Sequence, residues 1–582
     1  MDFERHRLWA LVSIIVASLA FVYAMSDEFM MMLDWAYVME PAYRVTLGQV
    51  PYRDFFLVLT PGIVYVVAGL MLFGGGNTPM LVYTLANQAA VLGLTYFVVR
   101  RITGRATIAL LFILPVAASH QAFYPFPSYD PTAVTLVVAS FAALLLGMER
   151  PKNLWLWFGF GALVAAVPLF KQNLGGIYIV AIYAALVGAR FFAKDAPPWN
   201  SIITAGVGSA AVGGVFLAWL LAIGAFDDFV YQTFTFPGQV RDPLKKIPGL
   251  FRDYATPLSA LFIVLWLGGF AFLRRVRSKE IAPHRFRALS ALVFVVVPAI
   301  LALGLSALGK PFDYNLRVYY ASLDNALLIG GGVYLLLCFY RFHQEKPSVY
   351  DLLVLAPMGL IYASHLSQGP FGPWTYFELP TTMILLALYY RRFGGDFERR
   401  DATIGLATTT VALSAILAYT VWTLMIMGSN GLMDEHYTNA KHPKLNHLGS
   451  RGAAIIELDS LTRYIEQNVP KDEPVVEIPY RDPIYYLMDR RPPVFYSSLH
   501  LQPPNGASFP FDRVHDQIFR DNIKWFVIKY PQTEYPNHQV WLDWTTRSLI
   551  DTIKTRYDFV DSIPGYTIHI NEAYVAPQTN RQ

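Results

Sequence analysis

Four carboxylates in this sequence stand where they could act together. Asp34, Glu40 and Asp54 fall within "LDWAYVMEPAYRVTLGQVPYRDFF" (33–56), among aromatics and two arginines, Arg44 and Arg53, directly after the first long apolar run. Asp130 falls in "HQAFYPFPSYDPT" (120–132), between two later apolar runs. Carboxylates from separate loops that meet at one boundary can divide the work of a general base and a metal ligand or orienting group. The same residues also read as solvated loop acids or helix caps. Asp130, directly before Pro131, suits the first turn of a helix. Spacing alone favours this second reading.

The elements that must position these residues are membrane helices. The chain has 582 residues, of which 54% are hydrophobic and 15% charged, whereas a soluble protein carries about a quarter charged residues. Apolar runs near 8–25, 80–99, 106–118, 131–148, 154–170, 174–192, 201–222, 258–273, 288–308, 322–340, 351–366, 377–390 and 402–427 predict thirteen spans. One further apolar stretch, 55–75, is interrupted by Pro61 and Gly62. If 57–73 does not cross, the short inner loops hold 21 Lys and Arg and the outer loops nine; if it crosses, that asymmetry inverts for every later loop. The segment is therefore expected to lie at the outer surface, with the N-terminus inside and the C-terminus outside. The basic start and long apolar core of "MDFERHRLWALVSIIVASLAFVYAM" predict an uncleaved first helix. The substantial outer loops are then 26–79, 119–131 and 223–257. The net charge of +4 is modest, and no basic–aromatic cluster suggests nucleic acid.

After residue 428 the apolar runs cease. "EPVVEIP" (473–479), "IKWFVIKY" (523–530) and "YTIHI" (566–570) alternate with helical patterns at 452–467, 512–521 and 541–556. That alternation predicts a small α/β domain, residues 428–582, projecting from the outer face of a membrane domain, residues 1–427. The histidines of "DEHYTNAKHPKLNH" (434–447), His436, His442 and His447, read as part of a polar linker into that domain. The single cysteine, Cys338, excludes an intramolecular disulfide and any cysteine-based metal cluster.

The run Asp34, Tyr37, Glu40, Ala42, Arg44, Gly48, "PYRDF" (51–55), Pro61 and "LFG" (72–74) resembles the first outer loop of GT-C membrane glycosyltransferases. The nearest likeness is to the polyprenyl-phosphate-sugar-dependent branches, among them protein O-mannosyltransferases and the lipid A aminoarabinose transferase. Asp34 to Gly48 has the family's spacing. The layout is similar too: a second acid after the third span (Asp130), a basic turn "RRITGR" (100–105), "KQN" (171–173), and an outer C-terminal domain. Many relatives open the loop with an adjacent Asp-Glu pair, which this chain has at Asp27-Glu28, so that pair stays beside Asp34 as a claimant to the catalytic position.

The resemblance implies a polytopic α-helical GT-C fold with about thirteen spans and a small extracytoplasmic α/β domain, in a bacterial inner membrane. It implies transfer of a hexosyl or pentosyl group from a polyprenyl-phosphate donor to a lipid, polysaccharide or protein acceptor, with inversion. Asp34 would be the general base, with Asp130 and Glu40 as further catalytic residues. The donor phosphate would need cations, for which Lys171, Arg241, Lys245, Arg252 and Arg317 are the candidates. Attraction to membrane lipid headgroups accounts for the same charges. Asp34 and Asp130 would suit Mg²⁺ or Mn²⁺, and no organic cofactor is implied. A transporter or flippase would instead bury charges mid-span in repeated halves, a pattern the sequence lacks.

Overall fold

Apolar runs become helices because a bilayer leaves the backbone no other partner for its polar groups. The computed structural model describes residues 2–26, 32–74, 76–121, 125–237, 260–265, 326–336, 345–368, 378–393, 453–478, 484–495, 523–529 and 544–572, with short pieces at 268–269, 301, 338, 340, 414, 437–439, 444, 449–451 and 517–519. Five of its helices are long and apolar enough to cross a membrane. They are α1 (Asp2–Ser26), α4 (Thr78–Thr103), α6 (Tyr129–Glu149), α8 (Gln172–Phe192) and α9 (Trp199–Ala222). At 1.5 Å per residue each reaches about 30 Å or more. Shorter apolar helices fall on other expected spans: α5 (Ala106–Ser119), α7 (Leu154–Phe170), Ala326–Leu336 and Leu355–Gln368. The expected spans at 288–308 and 402–427 lie almost wholly outside the described residues.

The interrupted stretch holds only a short helix. It forms α3 (Gly62–Leu72), about 16 Å long, which begins right after Pro61. Before it comes α2 (Met32–Thr46), which carries Asp34, Glu40 and Arg44.

The helix ends sort into two groups. At one end Arg101 pairs with Glu149, Arg391 Nη1 donates to Ile102 O at 3.0 Å, and Asp195 accepts from Ser348 Oγ and Val349 N, both at 2.7 Å. The basic loops expected on one side thus meet one another. At the opposite end stand α2, α3, Asp130, Lys171 and the C-terminal sheet.

Small residues let two helices close up. A Cβ on Gly161 of α7 would lie 1.8 Å from Ala205 O of α9, and one on Gly208 of α9 would lie 2.1 Å from Phe158 O of α7. Backbone contact of this kind is how helices associate where lipid removes the hydrophobic drive.

The C-terminal region is α/β. A four-stranded sheet runs in the order β3 (Val475–Ile478), β4 (Trp525–Lys529), β6 (Tyr566–Ile570), β5 (Asp558–Ile563), with β3 parallel to β4 and the other pairs antiparallel. Helices Ala453–Asn468 and Trp544–Arg556 accompany it. Strand β5 was not expected, because "DFVDSI" is polar and its side chains are mostly exposed, as suits an edge. The linker segment also contains a short antiparallel pair, β1 (Tyr437–Asn439) with β2 (Gly449–Arg451). His436, His442 and His447 lie outside the described residues.

The sheet region docks on α2 and the segment that follows it. Tyr486 meets Trp35 and Tyr43 edge-on at 6.4 and 5.9 Å, and Phe56 N donates to Phe495 O at 2.9 Å. One apolar cluster runs from α2 through Phe55 and Phe56 into the sheet.

Candidate functional site

The joint between α7 and α8 carries the most informative geometry. Pro168 ends α7, and Gly175 lets the first turn of α8 press against it: a Cβ there would lie 2.2 Å from Pro168 N. Lys171 sits between the helices in an extended conformation (φ −143, ψ 102). Its ammonium forms an ion pair with Asp130 in the first turn of α6 and lies 5.3 Å from the Tyr129 ring centroid. Both residues are buried, each 6% exposed. A charge in such surroundings is tolerated because the pair is intact and an aromatic face adds to it.

The first outer loop reaches the same joint. Gln172 Nε2 donates to Val58 O at 3.1 Å, and a Cβ on Gly62 would lie 2.5 Å from Leu169 O. The two loops expected to bring acids together therefore do converge. Asp34 itself is in the first turn of α2, and its side chain lies outside the described residues.

Glu40 and Arg44 lie one turn apart on α2 and form a 3.4 Å pair, both nearly wholly buried. Arg44 continues to Gln49 Oε1 at 3.4 Å and rests 5.6 Å from the Phe55 ring centroid. Asp54 accepts from Arg53 Nε and Nη2 at 2.8 and 2.9 Å and from Val50 N at 2.8 Å. The Arg53 guanidinium holds its carboxyl below the usual carboxylate range. Asp54 thus fixes the loop.

Sequence reading missed Gln232. It sits in a π-helical turn (Tyr231–Thr235) that follows a short helix, α10 (Phe226–Val230). Its side chain donates to Tyr52 O at 2.9 Å and accepts from Leu57 N at 2.8 Å. Tyr52 has φ +71, a conformation costly for a bulky residue, and its hydroxyl donates to Leu59 O at 2.7 Å. A lone amide in the aromatic run "FVYQTFTF" (229–236) was the available signal. A second buried polar group links the ends of α4 and α5, where Asn87 Nδ2 donates to Gln121 Oε1 at 3.0 Å and Gln121 Nε2 to Phe126 O at 3.2 Å.

Of the expected phosphate ligands, Lys171 is brought to the acids, whereas Arg241, Lys245, Arg252 and Arg317 lie outside the described residues. Of the two expected metal ligands, Asp130 is already paired with the Lys171 ammonium through one carboxylate oxygen, and the side chain of Asp34 lies outside the described residues. Among the described residues no three His, Cys, Asp or Glu side chains gather as ligands. A groove of about 560 Å³, lined by Pro61, Tyr65, Leu169, Phe216 and Trp219, opens two residues from Lys171 and is almost wholly apolar.

No family model and no curated protein matches the chain. Solved structures do. The Archaeoglobus fulgidus oligosaccharyltransferase in its apo form is similar with a TM-score of 0.51 at 13% identity, over 98% of this chain and 75% of that one. Its complex with zinc and sulfate gives 0.50 at 13% identity, over 96% and 73%. ArnT from Cupriavidus metallidurans bound to undecaprenyl phosphate gives 0.42 at 14% identity, over 97% and 99%. Along nearly its whole length this integral membrane protein is folded like the archaeal oligosaccharyltransferase.

Proposed function

We propose that this protein is a membrane glycosyltransferase that moves a sugar from a polyprenyl-phosphate donor to a lipid, glycan or protein acceptor at the outer membrane boundary. The observation that carries the reading is the buried Lys171–Asp130 pair, set where the first outer loop, α3 and α6 meet beside an apolar groove. The groove suits a prenyl tail, and the ammonium two residues beyond its lining Leu169 suits the phosphate head. The fold is consistent with this reading; the geometry of the joint argues for the ligand class.

In this reading Lys171 binds the donor phosphate and stabilises it as the leaving group, while Asp130 holds the ammonium in place. Asp34 takes the proton from the acceptor hydroxyl as the oxygen attacks the anomeric carbon from the face opposite the phosphate. The configuration inverts, with no covalent intermediate. Glu40 acts through Arg44 by holding α2 and the Gln49 turn, and no step requires it to meet substrate. Arg241, Lys245, Arg252 and Arg317 would add charge on the phosphate from the same side. The basic loops joined through Arg101–Glu149 and Arg391 would face the cytoplasm, with the sheet region, residues 428–582, outside.

The test is sugar release and transfer by the purified full-length protein in lipid, offered polyprenyl-phosphate sugars and envelope extracts from a deletion strain. Asp34→Asn should keep its unfolding temperature and lose at least about a hundredfold in kcat. Full transfer by that variant would overturn the assignment of the base. Absence of transfer from every donor, with donor lipid crossing the bilayer instead, would favour a flippase.

A further inference from the structure

A second cavity, of about 530 Å³, lies where the first outer loop meets the sheet region. Its charged lining comes from both parts: Arg44 and Asp54 on one side, and Lys471, Asp472, Glu473, Arg490 and Arg491 on the other. The charges look balanced, but their commitments differ. Asp54 is engaged by Arg53 and Val50 N, as described above. Glu473 receives Lys524 Nζ at 2.6 Å and Trp525 Nε1 at 2.7 Å. Burial pushes its carboxyl up, yet those two donors outweigh it and hold the group below the usual range. Asp472 is exposed.

The cations are less well matched. Arg490 is only 5% exposed and is anchored by donating to the carbonyls of Val469, Pro470 and Glu473, neutral partners, while the carboxylates of Asp472, Glu466 and Glu473 act on it only from beyond salt-bridge distance. Its Nε finds no acceptor among the described residues. Burial lowers its pKa, and the nearby Asp472, Glu466 and Glu473 oppose that only in part. Arg491 and Lys471 stand exposed at the cavity, with no carboxylate within salt-bridge distance of either among the described residues. What completes such a site is an acceptor-only group with several oxygens.

We propose that this cavity binds an oxyanion, a phosphate or carboxylate, carried by the acceptor. The oxyanion part stands on the cavity alone; its attachment to the acceptor rests on the transferase reading. Arg44 is ten residues along α2 from Asp34, about 15 Å at helical rise. The acceptor would therefore carry its charge on the order of 15 Å from the hydroxyl that receives the sugar.

Two measurements on the full-length protein in nanodiscs test this. The first titrates inorganic phosphate into wild type and into Lys471→Gln/Arg491→Gln, two exposed positions whose loss leaves the unfolding temperature unchanged. Saturable binding in wild type, weakened about tenfold or more in the variant, is expected. Absence of saturable binding, or equal binding in both proteins, overturns the site. The second compares intact acceptor with phosphatase-treated and carbodiimide-amidated acceptor. The variant should raise KM for intact acceptor about tenfold at constant kcat, and whichever treatment abolishes the difference names the anion. If the variant leaves KM for intact acceptor unchanged while Asp34-dependent transfer proceeds, the acceptor link fails and the transferase reading survives. If no transfer occurs at all, that reading fails and the phosphate titration alone decides the site.

Discussion

Lys171 and Asp130 form a buried ion pair across the α7–α8 joint and the first turn of α6. Such a pair adds little stability in itself, because desolvation offsets the attraction, but removing one member leaves a charge with no counterpart. Lys171→Met or Asp130→Asn alone should therefore destabilise the protein by about 3–5 kcal/mol. The double variant should recover most of that loss, giving a coupling energy of at least about 2 kcal/mol in thermal unfolding of the detergent-solubilised protein. Transfer should not recover with it. A double variant that regains both stability and full transfer would mean that the pair is only structural.

Gln232 ties α10 and its π-helical turn to both sides of the strained Tyr52. Gln232→Leu removes a donor and an acceptor at once and leaves Leu57 N and Tyr52 O buried without partners. A loss of about 2–3 kcal/mol is expected. It should appear first as faster amide exchange in residues 50–59, with α4 and α6 unaffected. Uniform loss of protection across the helices would instead show that the clamp supports the whole fold.

How much of this could be read from sequence depends on what carries the signal. Helices α1, α4, α6, α8 and α9 were legible because a bilayer demands long apolar runs. Pro61 and Gly62 marked the break in the apolar stretch 55–75 at which α3 begins. Strands β3, β4 and β6 were legible from buried β-branched and aromatic residues, whereas exposed β5 offered no such pattern. Asp130 and Lys171 were each singled out, but their partnership was not, since residues 41 positions apart leave no periodic trace of contact. Gln232 offered only a lone amide in an aromatic run, because its role is to bridge segments about 175 residues apart.

The close approach of α7 and α9 makes a sharper demand on sequence. A Cβ at Gly161 would sit 1.8 Å from Ala205 O, and backbone cannot retreat as a flexible side chain can. Gly161→Ala should push the helices apart and lower the unfolding temperature or folded yield substantially. Gly159→Ala, two residues earlier where nothing lies within 4 Å, should stabilise slightly through helix propensity. Equal behaviour of the two variants in a thermal-stability assay would refute the packing argument.

His569 gives the sheet region a predictable pH response. It lies on β6, 5% exposed, with the Phe559 ring 5.8 Å away across the β5–β6 pair. Burial lowers its pKa from 6.5, opposed by the nearby Tyr557 backbone and aided by the nearby Lys554 charge. The unfolded chain therefore takes up a proton before the folded one does. Stability from the neutral imidazole is fully present above about pH 6.5, declines as pH falls below that value, and is gone once pH drops under the lower folded pKa, at about 1.4 kcal/mol per unit of displacement. Glu473, held below its ordinary pKa, likewise loses its contribution as pH falls, but only in the more acidic carboxylate range. The two windows are separate. Amide exchange of β4 and β6 in the full-length protein, followed from pH 8 to pH 5 and corrected for intrinsic rates, should show protection falling below about pH 6.5 in wild type. In His569→Gln it should stay flat over that range. A wild-type profile as flat as the variant's would show that burial does not shift this imidazole.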